Sequence, residues 1–415
     1  MKHVAIIGSG PAGCYLADHL PKVMSDVAID VLEQLPVPFG LIRYGVAPDH
    51  QNAKAVSRLF ERILARAGTE YFGNVQVGRD VSVEELLSLY DAVVFATGAP
   101  RDRRLGIPGE DLPGVAASGE LVGWYNVHPD FILPPPHTLR SAVVIGVGNV
   151  AVDVARVLVK TEDELTGSDL PPEVSHWIAA QPLERIHIVG RRGAADAKFS
   201  NHELAGLGKL KRARPVVDPA DLTVADNPVV KVLNSFAEAP LRETPITIDF
   251  HFHLSPVAFL GEEKLAAVQF KKPDGSLVEI PAQLAVTCIG YETIPCGTAS
   301  PSNGVFENQE GRIAERLYAV GWAMRGATGT IATNRNEAQQ LAQKLAREVG
   351  DDSRPGGDGL RSLLGQRGVK WVDYEGWRRI DQAEVARAAA GRVRGKFGNT
   401  DEMLEAAETT QPPPA

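Results

Sequence analysis

The chain opens as an apolar run, a glycine turn and a stretch with apolar residues at helical spacing: VAIIGSGPAGCYLADHL, beginning at Val4. The same pattern returns as AVVIGVGNVAVDVARVL, beginning at Ala142. Gly8 aligns with Gly146, Gly10 with Gly148, Gly13 with Ala151, Ala17 with Ala155 and Leu20 with Leu158. Each copy predicts a strand, a tight turn and a helix, the opening unit of a nucleotide-binding fold. Further apolar runs predict strands at 28–32, ending on Glu33, and at 92–95, closing on Ala96-Thr97-Gly98. Others fall at 185–189, ending on Gly190-Arg191-Arg192, at 285–289, and at 317–320, leading into Gly321-Trp322. Runs 246–254 and 265–271 read as antiparallel strands, with Pro273-Asp274-Gly275 as a turn. The stretch 160–182 reads as an insertion, 351–359 as a loop and 409–415 as a disordered tail. Pro134-Pro135-Pro136 predicts an extended lead into the second glycine unit. The fold class expected is α/β, with two Rossmann-like nucleotide-binding domains. The first is discontinuous, 1–101 with 292–415, and the second spans 102–291.

In the first turn, Gly8-Ser9-Gly10-Pro11-Ala12-Gly13, Gly8 makes the tight bend and Gly10 admits backbone to a pyrophosphate. Gly13 lets the helix pack closely on the sheet, and the helix N-terminus favours the phosphates. Glu33 stands 25 residues beyond Gly8, where a carboxylate accepts hydrogen bonds from an adenosine ribose. FAD and NAD both fit such a site; FMN does not. The second turn, Gly146-Val147-Gly148-Asn149-Val150-Ala151, repeats the fingerprint. Its strand-end position holds Arg191 and Arg192 where an acid is usual. Two guanidinium groups there suit a 2′-phosphate, so this site is expected to take NADP(H). FAD is then left to Glu33.

Composition narrows the class. The chain has 415 residues, 44% hydrophobic and 23% charged, as an ordinary globular protein does. The formal charge of −9 gives no support to nucleic-acid binding. No apolar run reaches the roughly 18–20 residues of a membrane span. Met1-Lys2-His3 passes straight into the first strand, which predicts a cytoplasmic protein or one that begins after processing. Cys14, Cys288 and Cys296 form no C-x-x-C pair, so neither a dithiol centre nor a metal site is expected. Electrons would then leave through an exposed flavin edge or go directly to a bound substrate.

Longer motifs carry a family resemblance. PFGLIRYGVAPDH from Pro38, the segment 119–126 with GWYN, GVGNVAVDVAR, VGRRG and GWAMRGATGTIATN from Gly321 resemble the adrenodoxin reductase family, as do the C-terminal RGV and GRVRGKF segments. The resemblance covers nearly the whole chain. It implies a two-domain NADPH–ferredoxin reductase, built like glutathione reductase, that uses FAD to pass electrons to a [2Fe–2S] protein commonly serving a cytochrome P450. It implies a monomer. It also implies that Ala12, Glu33, Leu41, Val77, Trp322 and Gly329-Thr330-Ile331 line the FAD site, with Gly40, Ala96, Thr97, Gly98 and Gly321 in the adjoining motifs. Gly146 to Asn149, Arg191, Arg192 and Glu203 would hold NADPH, and Gly329 falls at the nicotinamide end. The glycine-rich turn 326–331 precedes a helical pattern from Asn334, whose N-terminus would stabilise negative charge on a reduced flavin. Departures from the family are Met324 for a frequent lysine, Ala327 for a common proline, and Ala205 for an arginine that docks the acidic ferredoxin in mammalian members. Lys209, Lys211, Arg212 and Arg214 offer a substitute basic surface.

His50, Asp153 and Glu203 are candidates for positioning or proton handling. The rival functions are an NADPH-dependent quinone or dye reductase, a flavin monooxygenase, and a non-catalytic flavin-binding scaffold.

Overall fold

The computed structural model describes residues 1–132, 138–222, 226–240, 242–297, 299–350, 352 and 354–408. Pro134-Pro135-Pro136 and the tail 409–415 lie outside the described residues. The chain divides into two units: Met1–Arg101 with Val127–Asp130 and the chain from Gly290 onward, and Asp102–Asn126 with Phe131–Ile289.

The first unit is built on a six-stranded sheet in the order Arg312–Ala314, Leu317–Ala319, Ala92–Phe95, Lys2–Ile7, Val27–Leu32, Thr69–Phe72. All pairs are parallel except the edge strand Arg312–Ala314. Parallel strands buried on both faces must be apolar throughout rather than alternating. The first strand obeys this: Val4 and Ile6 enter one core with Leu16, Leu20 and Leu341, while Ala5 and Ile7 enter another with Phe72, Phe95 and Leu360. The helix Pro11–Val23 packs along the helix Ile331–Glu348. The first strand lies at the centre of the order. The chain therefore leaves it in one direction for Val27–Leu32 and later in the other for Ala92–Phe95, which opens a crevice at the carboxyl ends of the strands.

The second unit repeats the plan. Its strands run Val115–Ala117, Leu284–Thr287, Ser141–Ile145, Arg185–Val189, Ile246–His251, Ala213–Val217, all parallel. A three-stranded antiparallel sheet, Ser255–Leu260, Ala267–Lys271 and Leu277–Pro281, covers the core around Val143, Ile145, Phe259 and Phe270.

Three sequence expectations are corrected. Ile246–His251 is a parallel member of the main sheet; the antiparallel partners of Ala267–Lys271 are Ser255–Leu260 and Leu277–Pro281. Alternating burial along the Ile246 strand looks the same in either pairing. The loop expected over 351–359 ends early, because the helix Gly356–Gln366 begins inside it. The helix expected from Asn334 begins at Ile331. Among the described residues, no helix is long and apolar enough to cross a membrane.

Candidate functional site: two glycine cradles

In the first unit the turn after Lys2–Ile7 is set by close approach. Gly8 has φ +107°, and a β-carbon on it would lie 2.5 Å from the Ala96 carbonyl oxygen. Gly13 faces the Gly8 carbonyl oxygen at 2.1 Å in the same sense, so both positions exclude any side chain. Gly10 differs: a β-carbon there meets nothing within 4 Å. It occupies the N-cap of the helix Pro11–Val23, with Pro11 at its first turn and no side-chain cap. The open space and the uncapped N–H groups form a cradle that fits a phosphate.

Glu33 closes this turn from the next strand. Its Oε2 accepts from Ser9 N at 3.1 Å and Ser9 Oγ at 2.6 Å, and its Oε1 from Leu35 N at 3.4 Å. Burial pushes the Glu33 carboxyl up, and the Ser9 hydroxyl and backbone pull it back. Ser9 Oγ also accepts from Phe39 N at 3.3 Å. Phe39 has φ +84° and Gly40 φ +48°, so the chain makes a left-handed step there. A β-carbon on Gly40 would lie 3.5 Å from Gly10 Cα, and Leu41, next in line, is 46% exposed. Sequence reasoning passed over Ser9 because it stands at a variable position of the fingerprint; its hydroxyl is what couples the turn, the acid and the Phe39 loop.

The remaining first-unit candidates sit as follows. Ala96 packs its carbonyl on Gly8, and Gly98, at φ +69°, accepts from Thr293 Oγ1 at 3.0 Å through its carbonyl. Thr97 between them is half-buried. Gly321, at φ +70°, lies so close to the helix start that a β-carbon would be 2.6 Å from Ala12 Cβ. Trp322 is half-buried, stacks on Tyr291 at 6.0 Å, and donates from Nε1 to the Thr328 carbonyl at 2.9 Å. Arg325 Nε donates to the same carbonyl at 3.0 Å, which holds the turn before Gly329. Thr330 is the N-cap of Ile331–Glu348, with Thr333 Oγ1 accepting from Thr330 N at 3.1 Å. Thr328, Gly329 and Thr330 are exposed. Val77 packs against the core of Phe72 and Val81. His50 is the N-cap residue of the turn Gln51–Lys54.

The second unit builds its turn the same way. Gly146, at φ +141°, faces the Cys288 carbonyl oxygen at 2.2 Å, while a β-carbon on Gly148 meets nothing within 4 Å. Gly148 caps the helix Asn149–Val159 without a side chain. The Val147 carbonyl accepts from Lys198 N at 2.8 Å, and Asn149 Oδ1 from Ser200 N at 2.7 Å. Val150 is half-buried on the first helical turn. Arg191 and Arg192 follow the next strand and are both exposed; Arg192 Nη1 lies 3.6 Å from Asp196 Oδ1. Asp153 and Glu203 come together, with carboxylate oxygens within 4.8 Å of each other. Asp153 also pairs with the buried Arg156 at 2.6 Å, and Ser200 Oγ caps the helix that carries Glu203.

The expected basic surface is corrected in part. Arg212 is half-buried and donates from Nε to the Val159 carbonyl at 2.8 Å and from Nη2 to Leu158 and Ile178 carbonyls at 3.4 Å. It caps helix C-termini rather than presenting its charge. Lys211 is paired with Asp163. The three thiols are unpaired, and burial pushes all of them up, Cys296 to about 11.

The sequence profile described as pyridine nucleotide-disulphide oxidoreductase matches residues 2–321. The chain belongs to that family. Within the family it is 36% identical to NADPH-ferredoxin reductase FprA of Mycobacterium tuberculosis, over 97% of this chain and 98% of that one. It is 35% identical to the mitochondrial NADPH:adrenodoxin oxidoreductase of Salvelinus fontinalis, over 97% and 91%. Mycobacterium tuberculosis FprA solved in complex with NADPH superposes with a TM-score of 0.94 at 35% identity, covering 98% of this chain and 100% of that one. At 18% identity and a TM-score of 0.51, a Lactococcus lactis thioredoxin reductase shares the fold alone. The chain itself has no C-x-x-C pair.

Proposed function

We propose that this family member is an FAD-dependent NADPH–ferredoxin reductase whose acceptor is a [2Fe–2S] ferredoxin, and that it acts as a monomer. The observation that carries the cofactor assignment is the opposite charge just past two equivalent strand ends. Glu33 directly follows the strand Val27–Leu32 in one cradle, and in the other Arg191-Arg192 follow the strand Arg185–Val189 after the single residue Gly190. A carboxylate accepts from ribose hydroxyls and repels a 2′-phosphate; paired guanidinium groups bind that phosphate. The first unit is therefore assigned FAD and the second NADPH. When bound, the cofactors would supply the redox chemistry, two-electron exchange at the nicotinamide and one-electron exchange at the flavin, with the first cradle holding FAD and the second NADPH.

The chain supplies geometry and field. Ser9 and Glu33 fix the adenosine end, and Gly10 and Gly40 leave room for the pyrophosphate. The N-terminus of Ile331–Glu348, with exposed Gly329 and Thr330, would favour negative charge on the flavin. His50, Asp153 and Glu203 are proposed to position groups or handle protons. The ferredoxin acceptor is supported by the likeness to FprA and to the adrenodoxin oxidoreductase over nearly the full chain.

Two experiments test this. Stopped-flow reduction by NADPH, followed by mixing with ferredoxins, should show rapid flavin reoxidation. Failure with every ferredoxin, alongside fast turnover on a quinone, would replace the acceptor assignment. Arg191→Ala should raise KM for NADPH about tenfold or more while leaving KM for NADH nearly unchanged. Equal effects on both would remove the 2′-phosphate role.

A further inference from the structure

The loop that carries Arg191 and Arg192 is held by a second segment. Gly190 N donates to the His251 carbonyl at 2.8 Å, Leu254 N to the Gly190 carbonyl at 3.1 Å, and His253 N to the Arg192 carbonyl at 3.2 Å. His253 thus sits beside Arg192, although it is about sixty residues away in the chain. It adopts φ +58°, the left-handed region that a side chain enters only when its surroundings hold it there. A β-carbon placed on Gly193 would come within 3.1 Å of His253 Nε2, so the imidazole lies over the glycine that follows Arg192. The residue is exposed, as are both arginines.

We propose that His253 is a third member of the 2′-phosphate site, adding an imidazolium to the two guanidinium groups. The proposal rests on the assignment of the arginine loop to the 2′-phosphate made above. Histidine is the side chain type that can gain a positive charge near neutral pH, so a phosphate-directed role is read out by comparing a 2′-phosphorylated with an unphosphorylated adenosine at two pH values. The charged groups on the loop beside it are those of Arg191 and Arg192, with Asp196 paired to Arg192, and His251 ends the strand that precedes it. Asp221 is the acid near it: burial, with Asp218, pushes the Asp221 carboxyl up, and His253 and His251 pull it down. Asp221 and the phosphate compete for the ring, and the doubly charged phosphate is the stronger partner when bound.

The test is calorimetric binding of adenosine 2′,5′-bisphosphate and of 5′-AMP to the flavin-loaded protein, at about pH 6 and about pH 8. The variants are His253→Asn, which tolerates the left-handed conformation and carries no charge, and Arg191→Ala. His253→Asn should weaken the bisphosphate about three- to fivefold at the lower pH and less than about twofold at the higher. It should leave 5′-AMP unchanged. The phosphate's own protonation is common to wild type and variant, so their ratio isolates the histidine. Equal binding by wild type and His253→Asn at both pH values overturns the proposal. So does a loss of equal size at both pH values that extends to 5′-AMP, which marks a purely structural role. If Arg191→Ala fails to separate the two ligands, the arginine assignment itself falls and takes the proposal with it.

Discussion

Gly8 and Gly10 stand two residues apart in one turn and carry different burdens. Gly8 combines φ +107° with a carbonyl oxygen 2.5 Å from where a β-carbon would be. Gly8→Ala should therefore cost at least about 2 kcal/mol of folding stability. Gly10 faces open space. Gly10→Ala should leave the stability of the flavin-stripped protein within about 0.5 kcal/mol, yet reduce flavin retention sharply. Denaturant melts of the stripped protein and flavin absorbance after desalting check the pair. A similar stability loss in both would refute the division of roles. The glycines themselves are plain in the sequence. Which of them is sterically obligatory is not, because the atoms that decide it, Ala96 O here and Cys288 O in the second unit, arrive from strands far along the chain.

At the scale of elements, the C-terminal GRVRGKF segment gains a physical reason for its resemblance. Glu384, fully buried on the helix Tyr374–Ala386, pairs with Arg43, accepts from Arg394 Nη1 at 3.2 Å and from Phe397 N at 3.1 Å. The carbonyl of Arg43 accepts from Lys396 at 3.2 Å and Lys54 at 3.4 Å. The Arg43 guanidinium lies 5.1 Å from the Tyr44 ring centroid and 5.5 Å from that of Trp377. The short helix Leu41–Tyr44, next to the first cradle, is thus clasped by the far end of the chain. Glu384→Gln would leave a buried guanidinium without its counter-charge, at a cost of about 3–5 kcal/mol. Burial alone would raise the Glu384 carboxyl, but Arg43 and Arg394 hold it below its ordinary value. Its contribution is present above the unfolded value of about 4.3 and is lost as pH falls through the lowered one. Urea melts between about pH 6 and pH 3 should show wild type losing its advantage over Glu384→Gln toward the acid end. A constant difference across that range would contradict the clasp.

For the molecule as a whole, another carboxyl pulls stability the other way. Asp30, 3% exposed on the strand Val27–Leu32, is pushed up to about 7 by burial, with Tyr90 pulling it back. The folded protein then keeps a proton that the unfolded chain releases near pH 4. Stability attributable to Asp30 is whole below that value and falls as pH rises toward 7. Asp30→Asn should flatten this slope and raise stability at pH 7 by about 2–4 kcal/mol, measured by urea unfolding at pH 4.5 and above against wild type. An unchanged slope would show that the carboxyl is already ionised in the fold. The run VAIDVL shows the carboxyl among apolar neighbours, but its hold on a proton follows from the depth of burial, which only the folded sheet sets.

The local rules written in the sequence determined two strand–turn–helix units and their opposite charges at the second strand end. Glycine sterics, apolar spacing and the sign of a side chain act over a few residues, so they are legible without a fold. Tertiary structure decided everything that depends on a distant partner. It placed Ile246–His251 parallel in the main sheet, because pairing direction is set by topology and not by the strand's own pattern. It turned Arg212 from an expected surface charge into a helix cap, because the Val159 carbonyl lies within 2.8 Å of it. It joined Ser9 to Glu33 and Phe39, and it set His253 beside Arg192. Such contacts connect residues about 24 to 60 positions apart, and only the folded backbone brings them within hydrogen-bond reach.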